Sequence, residues 1–246
     1  MSRTNRQVSF MGYYHVIVRG VGKQILFEND RDCGYFLAQL EKYSSETGVS
    51  VCAYCLMENH VHLLVHDSHE ALSLFMKKLG VSYATYYNLK YDRTGHLFQD
   101  RFQSEPVETE PYLLTVFRYI LNNPVKAGIC PASEYRWSSY HSYADSMSFV
   151  NTDIFLQLIG NWDRYTAFID QENDDECMEC FPQKKDDEWA KAALHRTLGL
   201  QSGSEIRTYP KIERDAALRK LKQAGLTIRQ IERLTGISHN IIQRLK

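Results

Sequence analysis

Two histidines separated by one residue are the side chains of this sequence best suited to hold a metal ion together. In His60-Val61-His62 both imidazoles project to one face of an extended strand, because successive side chains of a strand alternate. Two imidazoles on one face can share a single cation. The same alternation also describes two histidines on the polar face of a half-buried strand that bind no metal, so the pair alone leaves both interpretations open.

A tyrosine and an asparagine one helical turn apart supply the other reactive groups. At 3.6 residues per turn, Tyr119 and Asn123 lie about 40° apart on a predicted helix. A phenol can attack phosphorus, and a divalent cation held by imidazoles and an amide oxygen would polarise a phosphate. These residue types therefore favour phosphoryl transfer. In the alternative interpretation Tyr119 packs at the helix edge as a core residue and Asn123, before Pro124, caps the helix end.

The elements that must position these groups follow from residue periodicity. Strands are predicted over residues 13–19, 49–57, 60–66 and 102–107, and helices over 30–43, 68–92 and 110–122. This β-α-β-β-α-β-α order predicts an α+β fold, a ferredoxin-like antiparallel sheet with helices on one face. Cys52 and Cys55, three residues apart in the second strand, are predicted to face opposite sides of the sheet, which disfavours a zinc site.

Composition excludes several classes of protein. The 246 residues include 29 Lys and Arg against 30 Asp and Glu, so the net charge is -1 and any nucleic acid must be held by local basic patches. No apolar run approaches the roughly 20 residues of a membrane span. The N-terminus lacks the apolar stretch of a secretory signal. We therefore expect a cytoplasmic protein with no membrane partner.

Charge divides the chain into three predicted regions. Residues 1–150 are nearly neutral and form the predicted catalytic domain, residues 151–200 are acidic, and residues 201–246 carry 10 basic and 4 acidic side chains. The acidic residues concentrate in the stretch 170–188, which is typical of a solvated linker or lid. We predict a domain boundary near this stretch.

The basic tail has the pattern of a small all-α helix-turn-helix domain. A helix over residues 227–234 is followed by a turn at Gly236 and by a second helix, which Ser238 is predicted to cap. The side chains predicted to contact duplex DNA are Arg229, His239, Asn240, Gln243 and Arg244. The alternative is a helical bundle that makes protein contacts.

Basic and aromatic residues also cluster in the first region, along the helix over residues 68–92 and after it. Lys90, Arg93 and Arg101 are the predicted DNA contacts, since cations bind phosphates and aromatic rings can stack on bases. Tyr83 and Tyr87 have the spacing of the helix's buried face, so we predict that they belong to the core.

Three segments in the order and spacing of one known family make the interpretation specific. They are Tyr54–Val65 (YCLMENHVHLLV), Gly95–Phe102 (GHLFQDRF) and Arg118–Gly128 (RYILNNPVKAG). Together they resemble the single-tyrosine HUH transposases, in particular the REP-associated tyrosine transposases, over roughly residues 8–145. One departure is Glu58, where such sequences commonly have proline, which leaves the predicted hairpin turn less rigid.

The resemblance implies an activity and a role for each matched residue. His60 and His62 would bind Mg²⁺ or Mn²⁺, with Asn123 completing the metal shell. Tyr119 would attack a single-stranded DNA phosphate and leave a 5′-phosphotyrosyl link with a free 3′-OH. The resemblance further implies strand transfer at hairpin sites, with hairpin-bearing single-stranded DNA as the partner, and it is compatible with a homodimer.

Two rival functions are compatible with the same sequence. One is a non-catalytic DNA-binding regulator that acts through the helix-turn-helix, against which the intact His60, His62, Tyr119 and Asn123 argue. The other is a relaxase or replication initiator, but such enzymes are usually larger and often carry further motifs.

Overall fold

The structure is a computed structural model that describes residues 7–145, 148–172, 175, 177–179, 187–200 and 202–245. Its strands are β1 Tyr13–Arg19, β2 Ser50–Met57, β3 His60–His66 and β4 Gln103–Val107. Its helices are α1 Asp30–Thr47, α2 Leu72–Lys90, α3 Glu110–Leu121, α4 Asn123–Lys126, α5 Asp153–Ile159, α6 Trp162–Asp170, α7 Asp187–Leu198, α8 Lys211–Gln223, α9 Ile228–Thr235 and α10 His239–Arg244. The chain forms two compact units, residues 1–180 and residues 181–246.

The four strands form one antiparallel sheet in the order β2-β3-β1-β4. β3 lies between β1 and β2, so the His60-Val61-His62 segment sits on an inner strand of the sheet. In the register of β1 with β3, Arg19 lies opposite His60 and Ile17 lies opposite His62. The predicted α+β class with a ferredoxin-like sheet is confirmed.

The placement of the helices corrects one detail of this prediction. Val16, Val61 and Leu63 belong to a core shared with α1 and α2 on one face of the sheet. Helix α3 packs instead with Ala53 and Leu64 in a second core on the other face. The expectation of helices on one face fails because the inner strands carry buried apolar side chains on both faces, and each face needs a cover.

A bulge in β2 overturns the predicted placement of two cysteines. The register of β2 against β3 shifts between Val51 and Ala53. An extra residue in a strand reverses the facing of the residues after it. Cys52 and Cys55 therefore belong to the same core on the α3 face. Burial raises the pKa of the Cys52 thiol to about 12, so at neutral pH this side chain is a protonated packing group.

The segment between α2 and β4 is attached to the end of the sheet near His60. The backbone N–H of Val21 donates to the carbonyl of Leu97, and that of Gln99 donates to the carbonyl of Arg19, both at 3.0 Å. The second family motif, residues 95–102, thus lies along the continuation of β1. Arg101 therefore belongs to a segment that is hydrogen-bonded to the end of β1, where Arg19 lies opposite His60 of β3.

The predicted acidic segment 151–200 is not a separate region of the fold. Helices α5 and α6 contribute Phe155, Tyr165 and Ile169 to the core on the α3 face of the first unit. Helix α7 contributes Ala190 and Leu194 to the core of the second unit. The two ends of this segment join different units because each end carries apolar side chains at helical spacing, which pack into the core of its own unit. In its acidic part, residues 173, 174, 176 and 180–186 lie outside the described residues.

The second unit consists of α7 to α10 and a 3-10 helix at residues 203–208. Between α9 and α10, Gly236 adopts a left-handed conformation with φ 65°. The Arg207 guanidinium donates to the carbonyls of Thr235 (2.7 Å) and Gly236 (2.8 Å). The predicted Ser238 side-chain cap is absent. The Glu232 carboxylate instead accepts from the N–H of His239, because it reaches across the turn to the start of α10.

Among the described residues, no helix has both the length and the apolar character needed to cross a membrane.

Candidate active site

The structure brings the predicted histidine pair and the predicted tyrosine together on the α3 face of the sheet. The ring centroids of His60 and His62 are 5.0 Å apart, with the planes at 80°. The Tyr119 ring lies 5.8 Å from the His62 ring, centroid to centroid. His62 and Tyr119 are both buried, with 1% and 7% of their surface exposed. These three groups from β3 and α3 therefore occupy one site.

Helix α3 holds Tyr119 against the sheet because of its amphipathic sequence. The Thr109 hydroxyl accepts from the N–H of Tyr112 at the start of the helix, and a proline occupies the first turn. Leu113, Val116 and Ile120 are completely buried on the sheet side. Tyr119 borders this apolar stripe, so its ring points toward the strands and their histidines.

Each histidine of the pair uses its Nδ1 for a contact within the protein. Nδ1 of His60 lies 2.8 Å from the side-chain oxygen of Asn59, which can only accept, so His60 donates from Nδ1. Nδ1 of His62 lies 3.0 Å from Nε2 of His15. In both residues Nε2 is the other ring nitrogen, the one that a cation would use. Contacts of this kind orient metal-binding histidines.

The imidazoles of this site are neutral at pH 7. Burial lowers the pKa of His15 to about 3 and that of His60 to about 4. The pKa of His62 falls well below its ordinary 6.5, first through burial and then through the neighbouring His15 and His60. Neutral imidazole is the form that binds metals, so burial prepares these rings for that role.

His15 is a site residue that the sequence analysis missed. It lies on β1, is completely buried, and its ring contacts His62 and Tyr119 at centroid distances of 5.3 Å and 5.9 Å. The available signal was a histidine amid β-branched and aromatic residues in YYHVIVR. Recognising it required the pairing of β1 with β3, which puts alternate residues of both strands on the same face.

Asn123 lies next to Tyr119 and is also a helix-terminal cap. It is 8% exposed, and its Nδ2 donates to the carbonyl of Tyr119 at 2.9 Å. Helix α3 ends at Leu121, before Pro124, and α4 begins at Asn123. The capping interpretation of the sequence thus agrees with the structure. The side-chain oxygen of Asn123 remains the atom that could bind a cation.

A lysine that the sequence analysis did not identify lies over the tyrosine. Nζ of Lys126 is 4.3 Å from the centroid of the Tyr119 ring and donates to the backbone carbonyl of Asp175 at 2.6 Å. The neighbouring Arg118 forms an ion pair with the Asp175 carboxylate at 2.7 Å. Lys126 therefore brings a positive charge to the phenol, where an anionic substrate would benefit from it.

The predicted DNA contacts of the first unit differ in their surroundings. Lys90 forms an ion pair with Asp32 at 2.5 Å, and Arg93 donates to the side chain of Gln24 at 2.7 Å. Both cations therefore have partners inside the protein, with which a phosphate would compete. Arg101 is exposed. With Lys77 it lines a cavity of about 670 Å³ between α2 and the segment 95–102.

The predicted duplex contacts lie on α9 and α10 in the second unit. Arg229, Asn240, Gln243 and Arg244 are exposed, and His239 is half-buried. Their accessibility is compatible with the predicted role, which stays a prediction.

Comparison with known proteins finds similarity over part of the first unit. Residues 8–123 match the family model described as "Transposase IS200 like". No curated protein sequence matches the chain. The structure of a REP-associated tyrosine transposase bound to a REP hairpin is similar, with a TM-score of 0.51 and 16% identity, over 62% of this chain and 90% of that one. A candidate transposase from Deinococcus radiodurans R1 has a TM-score of 0.35 and 20% identity, over 49% of this chain and 97% of that one.

The family match and the shared fold bear on the same residues as the sequence motifs. The match covers all four strands and contains His15, His60, His62, Tyr119 and Asn123. The fold is that of a REP-associated tyrosine transposase. The resemblance to the single-tyrosine HUH transposases is thereby confirmed over residues 8–123, the part of the chain that matches the model of the IS200-like transposases.

Proposed function

We propose that the protein is a DNA transposase that cleaves and rejoins single-stranded DNA through a 5′-phosphotyrosine at Tyr119, with a divalent cation. The observation that carries this proposal is the packing of the Tyr119 ring beside both His62 and His15, at 5.8 Å and 5.9 Å. A nucleophile adjacent to a set of neutral metal-binding groups is the arrangement that phosphoryl transfer requires.

The donor set fits Mg²⁺ or Mn²⁺. His60 and His62 would bind through Nε2, and Asn123 through its side-chain oxygen, since its Nδ2 donates to the Tyr119 carbonyl. Because two of the ligands are imidazole nitrogens, the site should prefer Mn²⁺ to Mg²⁺, which favours oxygen ligands. Among the described residues, no group of three or more His, Cys, Asp and Glu could hold a metal ion, so water and substrate oxygens would complete the shell. The bound cation would polarise the phosphate that is attacked.

The proposed reaction conserves the energy of the broken bond. The Tyr119 oxygen forms a bond to phosphorus as it loses its proton, and the bond from phosphorus to the 3′ oxygen breaks. The 3′ oxygen takes up a proton and leaves as a hydroxyl. Attack by a 3′-OH on the phosphotyrosine reverses these steps and joins the strands. Protein groups contribute mainly by positioning the phosphate and stabilising its charge.

Hairpin-bearing single-stranded DNA is the proposed substrate. The similar REP-associated transposase was solved with a REP hairpin, which supports this class of DNA. In this chain the exposed Arg101 and the neighbouring Lys77 offer positive charge beside the second family motif. The exposed residues of α9 and α10 are proposed to add binding to duplex DNA.

A covalent adduct tests the proposed function. Hairpin-bearing single-stranded oligonucleotides from the flanks of the gene are incubated with protein and Mn²⁺, and denaturing gels reveal protein linked to DNA. Wild type and Tyr112→Phe, a matched change on the same helix, should form the adduct, whereas Tyr119→Phe should form none. Equal cutting by wild type and Tyr119→Phe would discard the tyrosine mechanism. Hairpin binding without any adduct would favour the non-catalytic regulator.

A further inference from the structure

A buried hydrogen bond between two histidines lies behind the proposed metal site. Nε2 of His15 is 3.0 Å from Nδ1 of His62, and both rings are almost completely buried. Nδ1 of His15 has no hydrogen-bond partner in the part of the chain that the structure describes. Among the described residues, the other buried side-chain atom in this situation is Nε2 of Gln24. A buried polar atom without a partner costs stability and calls for an explanation.

The direction of this hydrogen bond decides what His62 can bind. Each neutral imidazole carries one proton, so one of the facing nitrogens donates and the other accepts. If His15 donated, the proton of His62 would sit on Nε2 and that nitrogen could not bind a cation. If His62 donates from Nδ1, its Nε2 keeps a lone pair, and the proton of His15 must sit on the Nδ1 that lacks a partner.

We propose that His15 is a positioning residue that accepts the Nδ1 proton of His62 and thereby holds His62 in the tautomer whose Nε2 binds the cation. This inference rests on the proposed function, because it assigns a role toward the proposed metal. His15 touches no substrate in this scheme and acts through His62.

The fold explains why a side chain from another strand has this role. His60 begins β3 beside the turn, and its Nδ1 donates to Asn59. His62 lies inside the sheet between β1 and β2, where the backbone carbonyls serve the strand ladders. An acceptor for its Nδ1 must come from the neighbouring strand surface. His15 lies on β1 two residues from Ile17, the partner of His62, and on the same face.

The orphaned nitrogen argues for a functional role of His15. An apolar side chain of similar size at this position would remove a buried polar atom and pack against the same core. The histidine is therefore unfavourable for stability on its own account. The acceptor that it offers to His62 is the compensating property, since contacts to the second ring nitrogen orient metal-bound histidines and raise metal affinity.

Metal affinity tests the inference without DNA cleavage. Free Mn²⁺ is titrated by electron paramagnetic resonance with wild type, His15→Leu and His15→Gln, and His62→Gln serves as the variant that lacks the ligand. His15→Leu should weaken Mn²⁺ binding about 10-fold to 100-fold. His15→Gln, whose side-chain oxygen can reach the position of Nε2, should restore most of the affinity. His66→Leu, at the far end of the same strand, should bind as wild type does, and thermal unfolding shows that each variant folds.

A tautomer measurement supplies a readout that a merely packing role would not change. Long-range ¹H–¹⁵N spectra of the metal-free protein, assigned by comparison with His62→Gln, should place the His62 proton on Nδ1. In His15→Leu the proton should move to Nε2 in part or in full. A wild-type proton on Nε2, or unchanged Mn²⁺ affinity in His15→Leu, would overturn the inference.

The two proposals can fail separately. If Mn²⁺ binding requires His62 but is indifferent to His15, the inference fails and the proposed function stands. If the His15 variants behave as expected while Tyr119→Phe still cuts DNA like wild type, the tyrosine mechanism fails and the role of His15 stands. A wild type that binds no Mn²⁺ would overturn both.

Discussion

The two faces of the sheet both bury titratable side chains, but they satisfy them differently. On the α2 face Asp32 is completely buried, and its carboxylate accepts from Tyr86 at 3.0 Å, Tyr91 at 2.7 Å and Lys90 at 2.5 Å. On that face Tyr83 also donates its hydroxyl to the carbonyl of Leu26. The polar groups of this cluster find their partners within the protein, as in a stabilising network.

The α3 face has a different arrangement. His15 and His62 face each other with one nitrogen left without a partner, and their rings contact each other and Tyr119. Burial keeps these imidazoles neutral, which costs stability in acid. This contrast is the one expected if the polar cluster on the α2 face stabilises the fold while the α3 face retains its imidazoles for the proposed cation.

The largest expected contrast comes from the same chemical change on each face. Tyr119→Phe should abolish the covalent DNA adduct, because no other group replaces the nucleophile. Tyr83→Phe should leave the yield of adduct close to that of wild type, because its hydroxyl serves Leu26. Denaturing gels with labelled oligonucleotide measure both. Loss of the adduct in both variants would erase the distinction between the faces.

Removing one imidazole should have the next largest effect. His60→Ala should lower Mn²⁺-dependent cleavage at least about 100-fold, since a cation that polarises the phosphate contributes several kcal/mol to the transition state. His66→Ala is the matched control, because His66 lies at the far end of β3 and contacts Tyr13. Single-turnover rates at saturating Mn²⁺ separate the two. Equal losses of cleavage rate in His60→Ala and His66→Ala would mean that the effect does not depend on where along β3 the histidine lies.

On the α2 face, Asp32→Asn should reduce the free energy of unfolding by about 2 kcal/mol, less than a fully buried ion pair because a quarter of Lys90 is exposed. Burial raises the pKa of Asp32, but hydrogen bonds from Lys90, Tyr91 and Tyr86 outweigh it and lower the pKa below 3.8. The stabilisation is therefore present above pH 3.8 and is lost as the pH falls below it. Denaturant unfolding at several pH values should show the variant converge on wild type in acid.

The smallest effect concerns the stability of the two tyrosine variants. Tyr83→Phe should cost about 1 kcal/mol, because the buried carbonyl of Leu26 loses its donor. Tyr119→Phe should change stability by less than about 0.5 kcal/mol if its hydroxyl serves catalysis rather than the fold. Chemical denaturation compares them. A larger loss in Tyr119→Phe would assign that hydroxyl a structural role.

Local patterns in the sequence predicted the elements but not all of their contacts. The strands with His60 and Tyr13 and the burial of Tyr83 and Tyr87 follow from periodicity, and the structure confirms them. His15 escaped because its partner lies 47 residues away and depends on strand register. The bulge that reverses Cys52 leaves no mark in a pattern of alternation.

Side-chain competition explains other differences. Ser238 is a good capping residue by type, but the N–H of His239 at the start of α10 is bound by the carboxylate of Glu232. Lys90 and Arg93 appear as available charges in the sequence, and the structure gives each a partner. Such choices depend on three-dimensional distances, which spacing along the chain does not contain.

The guanidinium of Arg207 has a consequence for the electrostatics of the second unit. It lies against the turn at Gly236, where even a methyl group on that residue would collide with it. Arg233 is likewise paired, with Asp187, and Arg214 with Asp215. A count of 10 basic residues thus overstates the positive charge available to a DNA duplex. Arginines that are held by partners within the fold neutralise fewer phosphates, and so displace fewer counterions from the DNA.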